Sequence, residues 1–171
     1  MKISTGLTYL AKYFMRAFAV ILLAVLIYVK VMGITRCVVQ GQSMFPTLED
    51  KEKLLLAKKK TPDRFDMLVF DEGDSCLIKR VIGLPGDTID VTEGKLTING
   101  ETVEEPYLDK ALSREYRDSS FHVKVAEDSY YVLGDNRDNS VDSRDFGQVK
   151  KDQIIGVPIY RLDFRKGLEK R

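Results

Sequence analysis

Hydrophobic positions along the chain follow two regimes. From Ala17 to Val29 (AFAVILLAVLIYV) the sequence is continuously apolar, and Tyr13, Phe14, Met15, Val31, Met32 and Ile34 extend the run on both sides. As a helix, residues 13–34 cover about 33 Å, enough for the hydrocarbon core of a bilayer. Arg16 and Lys30 stand near the ends of the run, where long cationic side chains reach the interface. Met32-Gly33-Ile34-Thr35 is a poor small-x-small cleavage site, so the pattern predicts an uncleaved anchor over 13–34 rather than a removed leader. Lys2, Lys12 and Arg16 precede the run with no acidic residue among them, which predicts residues 1–12 in the cytoplasm and the remainder outside.

Beyond residue 37 the helical period disappears. Short apolar or alternating runs predict strands at Lys53–Ala57, Met67–Phe70, Cys76–Ile82, Thr88–Val91, Lys95–Ile98, Phe121–Val125, Tyr130–Leu133 and Ile154–Arg161. Glu93-Gly94 and Asn99-Gly100 are turn signals, the second a strong hairpin dipeptide, and Leu84-Pro85-Gly86-Asp87 is another turn. The pattern predicts a mainly β domain over 37–164, sandwich-like or barrel-like. Residues 104–120 read as a polar excursion, and 165–171 as a frayed basic tail. Lys51–Lys60 (KEKLLLAKKK) reads as a strand leading into a solvated turn, with an anionic-lipid patch as the alternative.

Lys and Arg total 27 against 26 Asp and Glu, so nothing indicates attraction to nucleic acid. Cys37 and Cys76 are too few for a disulfide framework and lack metal-ligand spacing; free thiols or a single bridge both fit. No metal or cofactor is expected.

Gly41-Gln42-Ser43-Met44-Phe45-Pro46-Thr47-Leu48 sits just beyond the anchor, and a serine in such a setting suggests a nucleophile at the membrane surface. Histidine is the usual base, yet the one histidine, His122, has no catalytic-looking neighbourhood. The run Ser75-Cys76-Leu77-Ile78-Lys79-Arg80-Val81-Ile82 offers another. Alternation puts Lys79 with Leu77 and Val81, and Arg80 with Ile78 and Ile82, so both faces are apolar. Burial there would depress the Lys79 pKa and make a neutral amine available as a base, whereas arginine stays charged. The plain alternative is a lysine snorkelling from an edge strand. Gly134-Asp135-Asn136-Arg137-Asp138-Asn139-Ser140-Val141-Asp142-Ser143-Arg144 fails as a calcium loop, because Ser143 and Val149 stand where Gly and Glu are needed. It is either a charged surface turn or a rigid polar network beside a site.

The anchor, GQSMFPTL at 41–48, KRVIGLPGD at 79–87 and GDNRDNSVDSR at 134–144 together resemble the bacterial type I signal peptidases, serine proteases with a Ser–Lys dyad. The single anchor and short middle region are similar to the Gram-positive members. The resemblance implies a signal-peptidase-like β domain with one N-terminal transmembrane helix. Ser43 would be the nucleophile and Lys79 the general base. Ser140 would hydrogen-bond the lysine, while Arg80 with Asp135, and Asp142 with Arg144, would brace the site. The Ser43 backbone N–H would serve the oxyanion hole. Where some members carry a second oxyanion serine, this chain has Gly41.

The implied function is removal of signal peptides from exported preproteins at the plasma membrane, with the catalytic domain extracellular. The partners would be signal peptides and the lipid bilayer. From Lys30 to Ser43 the chain reaches at most about 45 Å, which tethers the serine near the membrane. Small side chains one and three residues before the cut would enter shallow apolar pockets, with Met44 a candidate wall. Three rivals stand against this. A self-cleaving Ser–Lys repressor would need a DNA-binding domain where the anchor lies. A non-catalytic signal-peptidase-like assembly factor for surface proteins would lack the serine or the lysine. A tethered binding domain would not turn over peptide.

Overall fold

The computed structural model describes residues 3–73, 75–163 and 167–170. Lys2, Arg165, Lys166 and Arg171, which enter the charge patterns above, lie outside the described residues. The chain divides into two units, residues 1–34 and 35–171.

The first unit is a helix, α1, Ile3–Met32. Its stretch Tyr9–Val31, 23 residues, is long and apolar enough to cross a membrane. Large apolar side chains along it, such as Phe18, Leu23 and Ile27, are exposed, as a lipid-facing helix requires. Gly33 follows with φ of 60°, the left-handed conformation that ends helices. Ile34, expected inside the anchor, instead begins the first strand.

Apart from Ile34, which opens β1, the second unit is built from β1 (Ile34–Val38), β2 (Lys53–Ala57), β3 (Met67–Glu72), β4 (Ser75–Gly83), β5 (Thr88–Thr92), β6 (Lys95–Ile98), β7 (Glu101–Thr102), β8 (Phe121–Lys124), β9 (Ser129–Leu133), β10 (Val149–Lys150), β11 (Ile154–Asp163) and β12 (Gly167–Lys170), with one α-helical turn, α2 (Ser143–Phe146), and short 3-10 turns at Lys110–Leu112, Tyr116–Asp118 and Lys151–Gln153. A large sheet runs β1-β2-β11-β3-β4-β9-β10, with β12 paired to β11, and a smaller one runs β7-β6-β5-β8. The expected strands all form, with ends within two residues of the sequence reading. Residues 167–170, read as part of a frayed tail, pair with β11 instead.

Glu93-Gly94 and Asn99-Gly100 close the β5–β6 and β6–β7 hairpins, and all four residues have positive φ. Two-residue turns of that hand match the twist of the strands they join, and Asn and Gly adopt it most cheaply. Ile89, Val91, Leu96 and Ile98 from the small sheet pack with Ile82, Tyr131 and Leu133 from the large one. A second cluster joins Val39, Met44 and Leu48 to Leu54, Met67, Val69 and Ile78. The 104–120 excursion is partly core: Tyr116, 2% exposed, plugs into the first cluster.

Candidate active site

Ser43 lies in the loop between β1 and β2, and packing holds that loop still. Val39 N–H donates to Glu52 O at 2.8 Å and Lys51 N–H to Val39 O at 2.9 Å, closing its base. Met44 and Leu48, flanking the turn, are 1% and 0% exposed in the second core cluster. From the other side Asn136 N–H donates to Ser43 O at 3.0 Å, and its side-chain amide donates to Gln42 O at 3.2 Å. Among the described residues, no acceptor takes the Ser43 backbone N–H. It is free to serve an incoming oxygen.

Lys79 is on β4, opposite Leu68 of β3, and is 3% exposed. Ile78, Arg80, Val81 and Ile82 are buried as well, so the strand is covered on both faces, as its alternation implied. Lys79 Nζ is hydrogen-bonded to Ser43 Oγ at 2.7 Å. Burial lowers the lysine from its ordinary 10.5 to about 8, although the Asp142 charge opposes part of that shift. About a tenth of the amine is therefore neutral at pH 7, far more than for an ordinary lysine, and able to take a hydroxyl proton.

Arg80, the next residue, is treated in the opposite way. Its Nε and NH2 nitrogens bind Asp135 Oδ1 and Oδ2 at 2.7 and 2.5 Å, and NH1 donates to Phe65 O at 2.7 Å. The guanidinium sits 4.0 Å over the Tyr107 ring. Asp142 is fully buried and accepts from Arg144 Nε and NH2 at 2.8 and 2.9 Å, and from Gly134 N–H at 2.9 Å. It also caps α2 in a reciprocal capping box with Asp145. Burial by itself pushes the Asp142 carboxyl up, but the Arg144 hydrogen bonds and charge and the Gly134 N–H outweigh it, leaving the group below the ordinary carboxylate range. The 134–144 segment is therefore a rigid polar network rather than a solvated turn.

The sequence reading missed the other half of that network. Arg137, 2% exposed, binds Glu105 at 2.5 Å, donates to Gly134 O at 2.8 Å and lies 4.4 Å over the Tyr116 ring. Glu105 also accepts the Tyr107 hydroxyl at 2.7 Å, and Asp138 accepts Arg114 and Glu115 N–H at 2.7 and 3.1 Å. Arg137 stood within a segment already singled out. Glu105 lay in the polar excursion, and nothing in the one-dimensional pattern joins the two.

Ser140 departs from the expectation. Its Oγ is buried with no hydrogen-bond partner among the described residues, so the expected bond to Lys79 is not formed. It is close to the site all the same. A Cβ added at Gly134 would run into the Ser140 side chain and come within 2.6 Å of Ser43 O, so only glycine fits there. His122 is remote in bonding terms, exposed on β8 and paired with Asp90 at 2.6 Å.

Ser43 and Lys79 open onto a cavity of about 40 Å³ whose wall includes Cys37, Val38, Val69, Cys76, Leu77 and Ile78. Both cysteines are free thiols. Met44, the candidate wall, is buried in the core instead. Among the described residues, no three metal-ligating side chains come together.

A hydroxyl, a buried amine of lowered basicity beside it and an unused N–H can together support acyl transfer without histidine. Comparison with known proteins gives the family directly. Residues 10–162 match signal peptidase, peptidase S26, and the chain belongs to that family and is a peptide hydrolase of it. It is 41% identical over 132 residues to signal peptidase I S of Bacillus subtilis, covering 70% of this chain and 72% of that one. It is 40% identical over 153 residues to signal peptidase I U of the same organism, covering 81% of each. The fold is similar to a crystal structure of a signal peptidase I from Enterococcus faecalis, with a TM-score of 0.50 and 36% identity, covering 57% of this chain and 97% of that one.

Proposed function

We propose that the chain is a membrane-anchored endopeptidase that removes signal peptides from exported preproteins, with Ser43 as nucleophile and Lys79 as general base. The observation that carries this is the 2.7 Å contact between Lys79 Nζ and Ser43 Oγ, made by an amine that burial lowers to about 8.

Lys79 takes the proton as Ser43 Oγ adds to the scissile carbonyl, and the Ser43 N–H receives the developing oxyanion. The protonated lysine then passes its proton to the departing amine. Water, activated by the same amine, hydrolyses the ester and frees the serine. Gly41 has no side chain to give a second oxyanion donor, so that donor is backbone or water. Asn136 steadies the nucleophile loop through Ser43 O, and the Arg80–Asp135 and Arg144–Asp142 pairs hold β4 and the 134–144 loop in register.

The small cavity fits the substrate class. Its volume is about 40 Å³, room for a small group. It suits a small side chain such as an alanine methyl. Tyr9–Val31 supplies the anchor, with residues before it cytoplasmic and the β domain outside. Incubation of the detergent-solubilised full chain with a preprotein, followed by N-terminal sequencing of the product, tests the reading. Cleavage after small-x-small, lost in Ser43→Ala, is expected; an uncut preprotein would leave the chain a binding or assembly factor.

A further inference from the structure

The lysines that close KEKLLLAKKK play no part in the site above. β2 ends at Ala57 and releases Lys58, Lys59 and Lys60 into the following turn. Lys151 reaches the same place from a short 3-10 turn after β10. With Thr61 and Tyr130 they line a cavity of about 430 Å³ that shares no wall residue with the Ser43–Lys79 cavity. A cleft of that size is in the range of small-molecule sites.

Its charge is unevenly neutralised. Lys60 is held by Asp66 at 2.7 Å, and Lys151 donates one of its protons to Glu127 O at 2.8 Å. Among the described residues, Lys58 and Lys59 have no partner. Tyr130 is 3% exposed, and its hydroxyl finds no hydrogen-bond partner among the described residues. That hydroxyl opens on the same cleft as the lysines, a donor that the protein itself does not use. Asp63 acts on Tyr130, and Asp66 holds Lys60.

We propose that this cleft binds a phosphate group, with Lys58 and Lys59 supplying charge and the Tyr130 and Thr61 hydroxyls supplying neutral donors. Lysine is a point-charge phosphate binder, and a tetrahedral anion can accept from ammonium and hydroxyl donors at once. Neither hydroxyl has a place in the peptidase chemistry. The phosphate belongs either to a lipid headgroup or to a soluble phosphate.

The test is a phosphorus NMR titration of inorganic phosphate with the full chain in a phosphate-free detergent. Saturable binding is expected, weakened at least about tenfold by the double variant Lys58→Glu, Lys59→Glu. Tyr130→Phe, which keeps the buried ring, should weaken it about three- to tenfold. Lys95→Glu, an exposed lysine on β6, should leave it unchanged. Unsaturable binding, or equal loss in Lys95→Glu, would overturn the site in favour of diffuse charge. The same titration in nanodiscs of phosphatidylcholine, with and without phosphatidylglycerol, separates the sources. Loss of phosphate binding in the anionic discs, alone or together with the phosphatidylcholine discs, assigns the lipid headgroup, and binding in both assigns a soluble phosphate. Absence of saturable binding in the phosphate-free detergent would contradict the proposal.

Discussion

Lys79 and Arg80 are consecutive on β4 and both buried, yet among the described residues only Arg80 has a carboxylate partner. Asp135 neutralises the arginine at two points, whereas the lysine meets a serine hydroxyl. The protein keeps one cation charged and leaves its neighbour with a cost for being charged. That cost is what turns a lysine into a base.

A stability prediction follows from the sign of the Lys79 shift. A lysine lowered from 10.5 to about 8 on folding opposes the folded state at any pH below about 8, by roughly 3 kcal/mol. The penalty fades as pH rises from 8 to 10.5, because the unfolded chain then holds the extra proton. Lys79→Met should abolish cleavage and raise stability at pH 7 by about 1–3 kcal/mol. Denaturant melts at pH 7 and pH 10 check it: the gap between variant and wild type should shrink at the higher pH.

Ser140 and Asp142 should separate activity from stability. The Ser140 hydroxyl is buried without a partner, so Ser140→Ala should leave the melting temperature unchanged or slightly higher. If the hydroxyl engages Lys79 during turnover, the same variant loses about ten- to a hundredfold in kcat. Asp142→Ala strips Arg144 of its partner and removes the cap of α2, at a cost of about 3–5 kcal/mol. The Asp142 contribution is present above the ordinary carboxylate range and lost as pH falls through its lowered pKa. Melting curves and turnover on both variants give the comparison; an unchanged melt in Asp142→Ala would contradict the rigid-loop account.

Glu105→Gln should behave like a core substitution although it lies in a polar stretch. Arg137 would keep its burial and lose its countercharge, at a cost of about 3 kcal/mol. For a chain of this size that lowers the melting temperature by roughly 6–12 °C. Differential scanning calorimetry of the variant measures it directly.

Topology is open to a direct test. External protease on intact cells should remove the β domain and spare a short N-terminal piece. Protection of the domain would reverse the orientation read from Lys2, Lys12 and Arg16.

Much of this was legible because the signals are local. Period-two alternation marked β4 and its doubly buried faces, and Asn99-Gly100 fixed a hairpin. Ser43, Lys79, Asp135 and Asp142 stood in motifs dense enough to attract notice. Glu105–Arg137 did not, because a long-range ion pair leaves no periodic trace and Glu105 sat among other charges. The two-residue strands β7 and β10 are too short to show alternation. The gathering of Lys151 with Lys58 and Lys59 also belongs to tertiary structure alone.

The pH dependence of kcat/KM for preprotein cleavage tests the dyad most directly, because it reports the ionisation of the free enzyme's essential base. The profile should rise with pH through an apparent pKa of about 8, that of Lys79, and Lys79→Arg should be inactive at every pH. A rate that is flat from about pH 6 to 9.5, or substantial cleavage by Lys79→Arg, would contradict Lys79 as the base that activates Ser43.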